Sequence, residues 1–448
     1  MTASPEQGLR ALIESGSCTI GVVGLGYVGL PVACLLADKG FNVIGVDLKA
    51  DRVANINAGR NPIEGREPGL PEMLQRVLVS GRLKATTDVH DVAEARVVLV
   101  CVETPVDPQD HRPRYAALRA ACAGLAEVLQ PGALVIVEST IAPGTIDRVV
   151  APVLRPHGLL VGHCPERVMP GRLLENLRTM SRAVGGESPE VAAAMAALYS
   201  AYVEGELDLT DPLTAELVKT SENAYRDVNI AFANQVALIC EAVGGDVWKV
   251  RELVNKSPGR NMLLPGAGVG GHCIPKDPWL LASALEPGRD AALIMASRTV
   301  NDSMPAHIAE LVLDLLRAEG VEPEGAVVTV LGYSYLEESD DPRDSPSAAL
   351  IPFLEGAGCK LRVHDPFVQD HHGDVLESLA GADCAVLMVA HSEYRGIDLA
   401  KVAHTMRRRL VVDARAALKQ DALRLAGFRS RTIGVGQTET MAPADQRT

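Results

Sequence analysis

Two rhythms of apolar residues divide the chain. In the first part, short runs that are apolar almost throughout alternate with segments of helical spacing; the runs are Cys18–Val23, Phe41–Val46, Val97–Val102, Leu134–Val137 and Leu159–Gly162. A run of this kind leaves no side for solvent, so it predicts a strand covered on both faces, as in a parallel sheet. Between the first two runs, Gly24–Gly29 predicts a turn and Leu30–Lys39 a helix stopped at Gly40. Regular strand–helix–strand alternation predicts an α/β, doubly wound sheet with ligands at the carboxyl ends of its strands. From Pro212 the pattern changes. Thr214 to Val243 contains no proline, and one long helix is the simplest arrangement. Strand-like runs return at Val327–Leu331, Lys360–His364, Cys384–Val389 and Leu410–Val412. The expected fold is two Rossmann-like doubly wound domains joined by a long central helix and helical region. The divisions are a flexible tail over 1–16, a dinucleotide-binding domain over 17–210, and a central dimerisation and catalytic region over 211–300. A second Rossmann-like domain over 301–436 and a flexible tail over 437–448 complete the chain.

Composition narrows the function. A chain of 448 residues exceeds one ordinary core. With 47% apolar residues but only 3% aromatic ones, the cores must rest on Ala, Val, Leu and Ile. A net charge of −14 argues against nucleic acid as a partner. Nine scattered cysteines without a CxxC pair fit thiols in a reducing compartment, with no disulfide scaffold and no metal site. The polar start lacks the pattern of a signal peptide, and no apolar run is long enough to span a bilayer. A cytoplasmic protein without a membrane partner is expected.

Four segments carry candidate chemistry. Gly24-Leu-Gly26-Tyr27-Val28-Gly29 follows a predicted strand and opens a predicted helix, the context in which GxGxxG cradles a pyrophosphate. Asp47 lies 18 residues beyond Gly29, at the end of the next strand. A carboxylate there accepts ribose hydroxyls and repels a 2′-phosphate, which favours NAD over NADP, although Arg52 lies close behind. Thr104 and Thr140, in loops after two later strands, would face the other half of the cofactor. On the long helix, Lys219 and Asn223 are four residues apart and share a face, with Glu216 just before them. Such a pair can hold an oxyanion or a hydroxyl, or can simply be a solvated face. In His163-Cys-Pro-Glu166-Arg167, Glu166 is a candidate acid/base group and Arg167 a phosphate or sugar contact, or the two form an ion pair. The fourth segment is Pro265-Gly266-Ala-Gly268-Val-Gly270-Gly-His-Cys273-Ile-Pro-Lys276-Asp277. Its glycines admit a ligand close to the backbone, and Lys276 and Asp277 accompany a candidate nucleophilic thiol.

Taken together, these segments resemble the NAD-dependent nucleotide-sugar 6-dehydrogenases, a family that includes UDP-glucose, dTDP-glucose, GDP-mannose and UDP-N-acetylhexosamine dehydrogenases. The resemblance runs from about Cys18 to Gly436, through VVGLGYVGL, EPGL, STIAPGT, HCPERVMPG, AELVKTSENAYRDVNIAFANQ, PGAGVGGHCIPKDP, DPRDSP and HDP in the family's order. It implies a four-electron oxidation of a hexose C6 to the uronic acid, with NAD as acceptor and a cysteine thiohemiacetal and thioester on the way. Cys273 is then the nucleophile and Asp277 a base acting on water; Lys219 and Asn223 hold the reacting oxygen, and Thr140 and Glu166 assist. By the same resemblance Tyr27, Val28, Lys276 and Arg343 join the cofactor site. Arg167, Arg260, Leu264, Gly266, Gly268, Gly270 and Arg415 contact the nucleotide sugar. The Glu67–Leu70 stretch reads as structural. One departure stands out: the family often has Tyr-Lys or Phe-Lys where this chain has Tyr335-Leu336-Glu337.

Two rival readings are weaker. A β-hydroxyacid or 6-phosphogluconate-type dehydrogenase uses a Lys and an Asn on a long helix but needs neither the cysteine loop nor the second Rossmann-like unit. A non-catalytic nucleotide-sugar-binding protein has no use for Cys273, Lys219, Asn223 and Asp277 together. A homodimer or higher oligomer is expected, built on the long helix through Ile230, Ala231, Ala233, Asn234, Ala237 and Leu238.

Overall fold

The computed structural model describes residues 5–63, 65, 67–286 and 289–436, so the proposed tail over 437–448 lies outside the described residues. Two compact units emerge. One comprises residues up to Ala224 together with Lys276–Asp290, and the other Tyr225–Pro275 with the chain from Ala291 onward. The segment 211–300 is thus divided between them.

The first unit is built on strands β1 (Thr19–Val23), β2 (Asn42–Val46), β3 (Leu83–Thr86), β4 (Val97–Val100), β5 (Leu134–Val137), β6 (Leu160–His163), β7 (Arg182–Gly186) and β8 (Leu207–Thr210). They form one sheet in the order β3-β2-β1-β4-β5-β6-β7-β8. All neighbours pair parallel except β6 and β7. The order 3-2-1-4-5-6 is that of a dinucleotide-binding sheet, whose crevice opens where β1 and β4 diverge. Every residue of β4 and β5 is buried, as runs apolar on both faces require. The edge strand β8 is only partly buried, and its alternating Leu-Asp-Leu-Thr gave no continuous run to find.

The flexible tail expected over 1–16 is corrected for its described residues, which begin at Pro5. Pro5–Glu14 is a helix packed on the helix Pro189–Tyr199, with Leu9 and Ile13 each only 1% exposed. Those two residues, four apart, give the helix the single apolar stripe it needs to dock.

In the second unit, β9 (Val327–Leu331), β10 (Lys360–His364), β11 (Cys384–Leu387), β12 (Leu410–Asp413) and β13 (Arg429–Thr432) form a five-stranded parallel sheet in the order β10-β9-β11-β12-β13. This is the other common doubly wound order, 2-1-3-4-5. The expected long helix runs from Pro212 to Val243. A second long helix, Ala292–Ala318, was not anticipated, and the domain boundary drawn at residue 300 falls inside it. Its polar residues disguised it. Arg298 and Asn301 are buried because both meet Asp227 of the first long helix, Arg298 Nη1 at 2.6 Å and Asn301 Nδ2 at 2.8 Å.

The expected oligomer face also needs correction. Ala231, Ala233, Asn234 and Ala237 are buried within the unit. Asn234 donates to Asn301 Oδ1 at 2.9 Å and accepts the Gly266 N–H at 2.8 Å. It is therefore a pillar of the glycine loop. Beyond Ala224, the exposed large apolar side chains of that helix are instead Tyr225, Phe232, Ile239 and Val243.

Candidate functional site

In the first unit the fingerprint turn has the shape its glycines imply. Gly24 has φ 90°, and a Cβ on it would stand 2.5 Å from the Cys101 carbonyl oxygen; one on Gly29 would collide with the Gly24 carbonyl. Gly26 is different: a Cβ there meets nothing nearer than Arg52 Nη1 at 4.0 Å, which leaves its backbone open to an approaching group. Turn and open backbone at the start of the helix Gly29–Asp38 fit a pyrophosphate. Asp47 is buried just beyond β2 and accepts the Leu25 N–H, the Lys49 N–H and Arg52 Nη1, each at 2.9 Å. Its carboxylate therefore braces the turn and restrains Arg52 as well. The Tyr27 hydroxyl donates to Glu67 at 2.7 Å, and Glu67 also accepts the Gly171 and Leu173 N–H groups. Glu67 thus ties the fingerprint to the loop that carries Glu166.

The loops after β4 and β5 are stitched to each other. Thr104 Oγ1 donates to the Thr140 carbonyl at 2.7 Å, and Ser139 Oγ to the Val102 carbonyl at 2.5 Å. Lys276 Nζ reaches the Thr104 carbonyl at 3.3 Å and Asp277 Oδ1 at 3.1 Å. Asn223 Nδ2 completes the group by donating to Asp277 Oδ2 at 2.5 Å. Asp277 is fully buried, Lys219 is buried, and Asn223 is half-buried. Thr104, Thr140, Lys276, Asp277 and Asn223, spread over more than a hundred residues of sequence, are thus joined in one unit.

Glu216 anchors the start of the long helix to the loop that follows β5. Its carboxylate accepts the Gly144 N–H at 2.5 Å and the Ile146 N–H at 2.7 Å. Burial pushes its carboxyl up to about 7 despite these two donors. Only its place ahead of Lys219 drew attention to it in the sequence; its partners lie some seventy residues away. Glu166 is buried, and its Oε2 makes no hydrogen bond among the described residues. Arg167 does not pair with its neighbour. Its Nε donates to Glu222 at 3.1 Å and its Nη1 to the Ser181 carbonyl at 2.5 Å, so its guanidinium is committed to holding the loop to the long helix.

In the second unit the glycine loop packs on the segment that departs from the family pattern. A Cβ on Gly271, at φ 85°, would stand 2.7 Å from the Tyr335 ring, and the Gly271 N–H donates to the Arg343 carbonyl at 2.9 Å. Burial pushes the Tyr335 phenol up to about 12, with Asp341 and the Cys273 thiol adding to the shift. Cys273 itself is half-buried, and no disulfide joins any of the nine cysteines. The Arg343 side chain is held by Asp341 at 2.5 Å. A cavity of about 160 Å³ opens here, lined by Gly268, Tyr335, Leu336, Glu337, Ser347 and Arg415. Next to Leu336, Glu337 bridges Arg395 at 2.7 Å and Arg415 at 3.5 Å. Leu264 is exposed, and Arg260 donates to the Pro258 carbonyl at 2.9 Å. A larger open groove of about 680 Å³ lies in the first unit along Gly69, Arg76, Leu174 and Arg178, and none of the candidate residues lines it.

A dinucleotide-binding sheet, a second doubly wound sheet and a thiol on a glycine loop define a pyridine-nucleotide oxidoreductase of two nucleotide-binding units. The chain belongs to the UDP-glucose/GDP-mannose dehydrogenase family. The family's NAD-binding-domain model matches residues 18–203, its central-domain model 213–303 and its UDP-binding-domain model 329–420. It is an NAD-dependent nucleotide-sugar dehydrogenase. The chain is 38% identical to the UDP-N-acetyl-D-mannosamine dehydrogenase of Pyrococcus horikoshii, over 93% of this chain and 99% of that one. It is 36% identical to the NDP-N-acetyl-D-galactosaminuronic acid dehydrogenase of Ralstonia nicotianae, over 89% and 95%. The solved structure of the Pyrococcus protein superposes with a TM-score of 0.87, covering 93% of this chain and 99% of that one. No described helix is long and apolar enough to cross a membrane.

Proposed function

We propose that the protein oxidises C6 of a UDP-linked N-acetylhexosamine, UDP-N-acetyl-D-mannosamine first among them, to the uronic acid in two successive two-electron steps. The names of its full-length relatives support the N-acetylated sugar. The observation that carries the four-electron course is Cys273, half-buried on a glycine loop that Asn234 and Arg343 hold in place. An aldehyde has no good hydride to give until something adds to its carbon. The Cys273 thiolate forms the C–S bond and the aldehyde oxygen takes a proton, giving a thiohemiacetal. Loss of hydride from that carbon, together with the proton of its hydroxyl, leaves a thioester. Water then adds, the C–S bond breaks, and the carboxylate and thiol are released. NAD supplies the hydride acceptance, once for the alcohol and once for the thiohemiacetal. Lys219 and Asn223 hold the reacting oxygen, Asp277 takes the proton from water, and Glu166 and Thr140 assist. Asp47 at the ribose site disfavours a 2′-phosphate. The test is NADH yield per sugar across UDP- and dTDP-linked glucose, galactose, GlcNAc, GalNAc and ManNAc. Two NADH per UDP-N-acetyl-D-mannosamine and a uronate product are expected. One NADH with free aldehyde would refute the four-electron course, and turnover of UDP-glucose alone would refute the sugar.

The partner is a second copy of the chain. Tyr225, Phe232 and Ile239 recur every seven residues and Val243 follows by four; they are 70%, 58%, 51% and 75% exposed. Over 18 residues this stripe is about 27 Å long, an apolar seam of coiled-coil spacing. Phe232→Glu is expected to turn a dimer into a monomer in sedimentation at micromolar concentration. A wild-type protein that sediments as a monomer would remove the proposal.

A further inference from the structure

Beneath the cofactor end of the first sheet lies a buried charge cluster that the reaction does not use. Glu138 follows β5, Cys101 follows β4, Cys164 follows β6, and Arg182 opens β7, which runs antiparallel to β6. Three carboxyl ends of adjacent parallel strands and one antiparallel start therefore converge at one point. Glu138 is fully buried and Arg182 is 2% exposed. Glu138 Oε1 accepts the Tyr199 hydroxyl at 2.7 Å and faces Arg182 Nη1 at 3.4 Å; its Oε2 lies 3.5 Å from Cys101 Sγ. The Arg182 guanidinium sits over the Tyr199 ring at 4.9 Å and the Tyr202 ring at 5.6 Å. Cys101 is also the floor of the fingerprint: its carbonyl blocks a Cβ at Gly24, and its Cβ is 3.1 Å from where one would stand on Gly29. Glu138 itself leads directly into Ser139 and Thr140, whose loop is bonded to Val102 and Thr104.

A charge pair taken this far from water gives the fold little net stability, because desolvation offsets the attraction. Burial pushes the Glu138 carboxyl up and Arg182 opposes the shift. What such a pair does provide is direction. A carboxylate with one hydroxyl, one guanidinium and one thiol around it has few alternative arrangements, whereas an apolar contact has many.

We propose that Glu138 and Arg182, with Tyr199, are positioning residues for NAD: they fix the ends of β4, β5 and β6 so that the fingerprint turn and the Thr104 and Thr140 loops keep the spacing the cofactor requires. None of the three is assigned contact with the cofactor. The pair acts through Cys101 on one side and through the Ser139–Thr140 loop on the other.

Full-length variants separate this role from a purely structural one. Glu138→Gln and Arg182→Met each leave one buried charge unmatched, and both are expected to lower the thermal midpoint and weaken NADH binding. The apolar replacement Glu138→Leu/Arg182→Met/Tyr199→Phe removes the carboxylate, the guanidinium and the hydroxyl together. Its midpoint is expected to return close to that of the wild type while its NADH dissociation constant, measured by fluorescence titration without sugar, stays about tenfold weaker. If the replacement regains both stability and NADH affinity, the cluster serves the fold alone. Tyr199→Phe keeps the ring over Arg182 and covers the case in which the triple variant does not fold. It is expected to lower the midpoint only modestly and to weaken NADH binding at temperatures where the variant is fully folded, and unchanged affinity in that variant would overturn the proposal.

Discussion

Cys273→Ser is expected to abolish steady-state NADH production from the nucleotide sugar, by on the order of a thousandfold or more, while NADH and nucleotide-sugar binding persist. Serine keeps the shape of the side chain on the glycine loop, so the packing of Gly271 against Tyr335 and its bond to the Arg343 carbonyl are preserved. What changes is chemistry. A hydroxyl is far less acidic than a thiol, so little alkoxide is present to add to the aldehyde. If an adduct forms and is oxidised, it is an ester, a poorer acyl donor to water than a thioester. A slow phase or a trapped ester on residue 273, detected by intact-protein mass spectrometry, agrees with this course. A well-folded Cys273→Ser protein with near-normal kcat would end covalent catalysis here.

The parts legible in the sequence were those whose signal is local. Strands such as Val97–Val100 and Leu134–Val137 announced themselves because burial on both faces demands an unbroken apolar run. The fingerprint was legible because its glycines, the preceding strand and Asp47 lie within about thirty residues. Edge strands Leu207–Thr210 and Arg429–Thr432 were not, since they are only partly buried and polar residues interrupt any apolar run. The helix Ala292–Ala318 was hidden for the opposite reason. Arg298 and Asn301 look like surface residues until Asp227, some seventy positions earlier, is known to receive them. The same distance concealed the supports of the site. Lys276 and Asp277 are neighbours in sequence, but their bonds to Thr104 and Asn223 are made by topology. Small residues at helical spacing are ambiguous, because they suit an internal helix contact as well as an external one. Ala233 and Ala237 are used internally, and the large residues Phe232 and Ile239 are left outside.

Asp277→Asn is expected to stall the reaction after both oxidations rather than before them. In the wild type the Asp277 carboxylate is fully buried and fixed from two sides, by Asn223 Nδ2 at 2.5 Å and Lys276 Nζ at 3.1 Å. Lys276 also reaches the Thr104 carbonyl, so the carboxylate is carried on the framework that holds the loops after β4 and β5. Asparagine fills the same volume but cannot take a proton from water. Thiolate addition and the two hydride losses need no proton transfer to residue 277, so a fast burst approaching two NADH per active site should appear. Hydrolysis of the thioester then limits turnover, with a steady-state rate lower by on the order of a hundredfold or more. The size of the burst makes the test specific. A burst near two with slow turnover places Asp277 at hydrolysis. Without a burst, the carboxylate is needed earlier, through its hold on Lys276 and Asn223. Normal steady-state turnover by a well-folded Asp277→Asn protein would remove it from the chemistry altogether.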